Sequence, residues 1–186
     1  DSTYNSAVEL SNTKRSLHQH ISFYDAKTGF MYVTRNAEKA NKNKEKVLQI
    51  FAMKQNIFTK KWREIPFQLN NSEFSVADLV MSPDGTKVIF VSDMNGGFGK
   101  SDLYEAPIIS NDDNGLKIGE AVNMGPKVNT VLRDNFPRFS DSGDLYFSSE
   151  GHLGFGGLDV FTLDKNSGMV INLGKPVNSN LDDFAA

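Results

Sequence analysis

The chain has no cysteine, one tryptophan and three histidines in 186 residues. Without cysteine there is no disulfide, no thiolate metal ligand and no thiol nucleophile. The compartment stays open, because cytosolic and periplasmic chains can both lack the residue. No apolar run approaches the roughly 18 residues that a membrane-spanning helix needs. No secretory signal pattern opens the sequence, so the chain is either processed or starts inside a longer one. Positive charge is outnumbered: 20 Lys and Arg against 23 Asp and Glu give a formal net charge of −3 and a pI near 5.6. This offers no basis for nucleic-acid binding and no basic stripe for a membrane surface. The one basic run, Lys39 to Lys46, reads as a solvated loop.

What the chain does have is phenylalanine (14), glycine (15) and a repeat. The stretch Met81 to Ala106 returns at Phe139 to Leu163. Gly97, Phe98, Gly99 and Asp102 recur as Gly154, Phe155, Gly156 and Asp159, each pair 57 residues apart. A fixed period of this size defines the architecture before any local motif does. Each copy offers four short runs rich in β-branched and aromatic residues, separated by turns such as Ser82-Pro83-Asp84-Gly85, where proline presets φ and glycine takes the exit. Helical periodicity is poor throughout. Four strands per repeat is the unit of a propeller blade.

The expected fold is therefore all-β: a β-propeller fragment of three four-stranded antiparallel blades. Residues 1–17 read as a leader or linker, 18–71 as blade one, 72–129 as blade two, 130–178 as blade three, and 179–186 as the start of the next blade. In the first copy a Lys- and Asn-rich loop replaces the glycine loop. Tyr32 and Thr34, shifted by 58, fall where Phe90 and Ser92 do, and Gln49 stands in place of Asp102 and Asp159. Propellers close with about 4–8 blades. The rest of the ring, from the same parent chain or another copy, is accordingly an expected partner, since an isolated arc would leave two apolar faces wet.

Candidate chemistry is sparse. Asp102 and Asp159 each start a strand after a glycine loop, where a carboxylate can accept loop amides and pin a turn. A calcium site would need six to eight oxygens; Asp93 and Glu150 lie near in sequence, but no DxDxD spacing exists. His18 and His20 share a strand face without an evident third metal ligand. Ser149, His152 and Asp159 form a triad only on paper, with no GxSxG elbow. GGFGKS lacks the phosphate-loop spacing. No catalytic residue, cofactor or metal is expected. Phe98 and Phe155 read as plugs between blades, with an exposed anchor for a partner as the alternative. Arg133, Asp134 and Arg138 are expected to make polar contacts between blades, and Trp62 to pack on the outer strand of blade one.

The strings SPDGTKVIFVSD, GGFGKSDLY and SSEGHLGFGGLDVF, with the joint PVNSNLDDF, resemble the TolB-type, WD-repeat-like propeller repeats. More narrowly they resemble the propeller of OmpA-family outer-membrane lipoproteins of Bacteroidota, over residues 16–184. That resemblance implies a six-bladed ring and a periplasmic or outer-membrane location without a direct membrane span. It also implies a non-catalytic docking role toward other envelope proteins, in some members within type IX secretion or gliding. The alternative is a propeller accompanying a peptidase or a glycan-processing enzyme.

Overall fold

The computed structural model describes residues 18–184, so the proposed leader at 1–17 lies outside the described residues. There is no helix among them. The first sheet is β1 (Gln19–Asp25), β2 (Phe30–Asn36), β3 (Leu48–Gln55) and β4 (Trp62–Pro66), paired antiparallel in chain order. The second runs β5 (Val76–Met81), β6 (Lys87–Ser92), β7 (Asp102–Asp112) and β8 (Gly115–Ile118), with β9 (Val122–Asn123) also on β7. The third is β10 (Asp134–Phe139), β11 (Leu145–Ser149), β12 (Asp159–Leu163) and β13 (Val170–Asn172). The first strands adjoin, β5 packing against both β1 and β10. These are three consecutive blades of a β-propeller.

β6 shows why the sheets stack. Its Val88, Ile89, Phe90 and Val91 are all buried. Side chains alternate across a strand, so Val88 and Phe90 enter the core shared with the first sheet, while Ile89 and Val91 enter the core shared with the third. A strand covered on both faces reads as a continuous apolar run, as KVIFVS does.

Two details depart from the sequence reading. Of the four runs expected in the second copy, the last, EAVNMG, forms only the two-residue β9. Its Asn123 faces Tyr104 as Asn172 of β13 faces Phe161, so β9 is the counterpart of β13. The β7–β8 hairpin is an extension peculiar to the second sheet. The shift between the first two copies is 57, not 58. Tyr32 faces Ala52 as Ile89 faces Glu105, three residues beyond Gln49 and Asp102 respectively. A one-residue slip would turn each side chain to the other face. Gln49 does stand at the Asp102 and Asp159 position, facing Arg35 where they face Ser92 and Ser149.

Candidate functional site

Each glycine loop is held by its aspartate. Asp102 accepts the amides of Phe98 (2.5 Å) and Gly99 (3.1 Å) and the side chain of Asn123 (2.8 Å). Asp159 accepts those of Phe155 (2.8 Å) and Gly156 (3.0 Å). The glycines provide space. A Cβ on Gly97 or Gly154 would collide with the aspartate's own carboxylate. One on Gly99 would lie 2.3 Å from the Thr130 carbonyl oxygen, and one on Gly156 1.9 Å from that of Leu181. The second glycine therefore lets the following joint approach.

The joint itself has a grammar. Asn129 accepts the Leu103 amide (2.8 Å) and donates to the Leu103 carbonyl (2.9 Å), and Asn178 does the same to Val160 at the same distances. Thr130 and Ser179 donate their amides to Asp134 and Asp183, both at 2.6 Å. The Asp134 amide reaches back to the Ser101 carbonyl (2.9 Å), and that of Asp183 to Leu158 (2.7 Å). The first sheet keeps the clamp without the loop: Asn70 accepts from the Ile50 amide (2.9 Å) and donates to its carbonyl (2.7 Å).

The remaining sequence candidates fall apart as a site. His152 points its Nε2 at the Val128 carbonyl (2.9 Å), while Ser149 accepts the Gly151 and His152 amides, so Ser149, His152 and Asp159 form no triad. Asp93 accepts the Ser75 amide (2.6 Å), and Glu150 pairs with Arg133 (2.8 Å) inside the third sheet. Among the described residues no group of three or more His, Asp or Glu side chains is placed to hold a metal ion. Asp84 is held at about 2 by hydrogen bonds from Ser82 and Thr86, which close its turn. Phe98 and Phe155 are 48% and 52% exposed and belong to neither core cluster, so they are not plugs between sheets. Trp62 lies half-buried on β4. Of the expected inter-blade residues, Asp134 makes its contact through its amide, Arg133 bridges Ser101 of the second blade through its backbone while its side chain pairs with Glu150 of its own blade, and Arg138 faces the concave side.

That concave side is what sequence reading missed. Each first strand carries a bulge of one extra residue at the same place: between Ile21 and Phe23, Ala77 and Val80, and Asn135 and Arg138. Asp78 and Phe136 sit in the bulges with φ of 53° and 55°, a left-handed conformation that costs a residue with a side chain about 1–3 kcal/mol. Bulges re-aim side chains. His20 and Asp78 form an ion pair across the first two sheets (2.7 Å), and the Asp78 amide donates to Thr34 Oγ1 (2.9 Å). The hydrogen bond to Asp78 raises the His20 pKa against the opposing effect of burial. Two open cavities adjoin here. A small one of about 130 Å³ lies among the bulges, and a larger one of about 950 Å³ lies toward the turns at Ser82 and Ser140. The second-sheet hairpin borders the larger one, and its Asn111 donates to Asp25 of β1 (2.8 Å).

No protein-family model matches the chain, and no curated protein matches it. Solved structures do. TolB from Acinetobacter baumannii is 17% identical with a TM-score of 0.46, the match covering 80% of this chain and 30% of that one. The blade assignment rests on the sheets themselves.

Proposed function

We propose that this chain belongs to a non-catalytic protein-binding scaffold of the bacterial cell envelope. It forms propeller blades of an OmpA-family lipoprotein of the periplasm and outer membrane, of the kind that serves type IX secretion or gliding. The observation that carries the reading is the paired motif of glycine loop and joint. Its glycines, aspartates and asparagines are spent on holding one sheet to the next. The same residues carry the likeness to the Bacteroidota propellers. What they leave free is a rigid concave face. The partners are other envelope proteins and further blades, from the parent chain or another copy. Val128 is 3% exposed under the third sheet, whereas its counterpart Val177 is 44% exposed and Leu181 70%. These side chains support a further blade, because apolar surface of this kind marks an interaction site. No described helix is long and apolar enough to cross a membrane.

Crosslinking in intact cells of the source organism, followed by purification of the full-length protein, tests the proposal. A reproducible envelope protein partner is expected. Recovery of cytosolic proteins alone, or hydrolysis of peptide or glycan by the purified protein, would overturn it.

A further inference from the structure

The sequence holds two asparagine–glycine pairs, Asn95-Gly96 and Asn114-Gly115. Asparagine is among the chemically labile residues. In such a pair the glycine amide nitrogen can attack the asparagine side-chain carbonyl, and no Cβ obstructs the approach. The sequence makes the two pairs equivalent, and the structure separates them. Asn114 and Gly115 are held in the turn of the β7–β8 hairpin, where the Asn114 amide donates to Asp112 Oδ1 (2.7 Å). Gly115 is a buried strand residue paired in register with Asp112, and a Cβ placed on it would lie 3.0 Å from Ile65.

Asn95 and Gly96 are exposed in the glycine loop of the second sheet. That loop is fixed at two points: Ser92 Oγ accepts the Met94 amide (3.1 Å), and Asp102 accepts the Phe98 amide (2.5 Å). Between these anchors Asn95, Gly96 and Gly97 make no hydrogen bond with any described residue. Gly96 has a φ of +95°, and a Cβ there would meet no atom within 4 Å. The second sheet is packed between the first and the third, so this opening exists with a sheet on either side. The third copy keeps both anchors, Ser149 Oγ on the Gly151 amide (3.1 Å) and Asp159 on that of Phe155 (2.8 Å), with His152 and Leu153 between them. The loop therefore folds without an asparagine–glycine pair.

We infer that Asn95 is a site of spontaneous modification, converted in the folded protein through a cyclic imide to aspartate and isoaspartate. The Gly96 nitrogen bonds to Asn95 Cγ, the bond from Cγ to the side-chain nitrogen breaks, and the Gly96 amide proton leaves with that nitrogen as ammonia. Water then opens the ring at either carbonyl. One opening leaves an ordinary aspartate; the other routes the main chain through the side chain and leaves isoaspartate. Water is consumed and ammonia released, and no other reactant is needed. Both products place a negative charge on the loop. Isoaspartate also adds a carbon to the main chain between the Met94 and Phe98 anchors, so this loop changes with the age of the molecule.

The test holds the full-length protein in mildly alkaline buffer, with a parallel sample in urea. Both are mapped over time by mass spectrometry with electron-transfer fragmentation, which separates aspartate from isoaspartate. In the folded protein the acid is expected at Asn95 at least about tenfold faster than at Asn114, because a paired strand position reacts only after local opening. In urea the two rates are expected to converge. Asn95→Gln, whose longer side chain disfavours the five-membered ring, is expected to keep the wild-type Tm and to gain no acid at that position. Equal rates at the two asparagines in the folded protein, or a faster Asn114, overturn the inference. So does an Asn95 that stays intact in the folded protein, a product there that is aspartate alone, or an equal gain of acid in Asn95→Gln.

Discussion

Gly99 and Gly156 are glycines for want of room, since the following joint's carbonyls lie where a Cβ would be. Gly99→Ala must push back the backbone at Thr130 and Leu132, and a loss of about 2–4 kcal/mol is expected in urea unfolding. Gly174→Ala meets no atom within 4 Å but sits at a φ of +61°, so it should cost less, about 1 kcal/mol. Asp102→Asn keeps the shape and removes the charge that receives two loop amides; about 1–3 kcal/mol is expected. The His20–Asp78 pair gives a pH signature. The folded pKa of His20 lies above its ordinary 6.5. Its stabilisation is therefore fully present below that value and is lost as pH rises through the folded pKa. The urea midpoint should fall across that window in the wild type and stay flatter in His20→Gln. Equal slopes in the two proteins would show that the pair contributes nothing measurable.

At the scale of the element, the strands were legible because their residues alternate or run apolar between strong turn signals, and the glycine loops because they repeat with one period. The concave face was not legible. His20 and Asp78 are 58 residues apart, and nothing in either's neighbourhood announces a pairing made by stacking two sheets. The bulges at Asp78 and Phe136 are equally silent, since neither is glycine and left-handed backbone is ordinarily read from glycine. Phe98 and Phe155 misled for a related reason: recurrence identifies a shared structural role but not the direction of a ring. The asparagine clamp could have been found in all three copies, yet Asn70 was hidden by the variable spacing around it. Each clamp closes both backbone groups of one buried strand residue, so Asn129→Ala should cost about 2–4 kcal/mol. Asn70→Ala, at the same job in the first sheet, should cost a similar amount. A thermal-melt comparison of the two reads whether the clamp is common to the repeat or a local device.

The described residues form three consecutive sheets joined by one recurring device, and their unclaimed chemistry lies on the inner strands. The docking role proposed above puts the partner on the concave side. Lys27 borders the groove, whereas Lys60 and Lys61 sit on the β3–β4 turn away from it. The decisive measurement is amine-reactive crosslinking with mass spectrometry on the full-length protein in living cells, resolved by lysine. An envelope protein linked through Lys27 in clear excess over Lys60 and Lys61 is the expected result. Links spread evenly over the three lysines, or no envelope protein at any of them, would contradict the account.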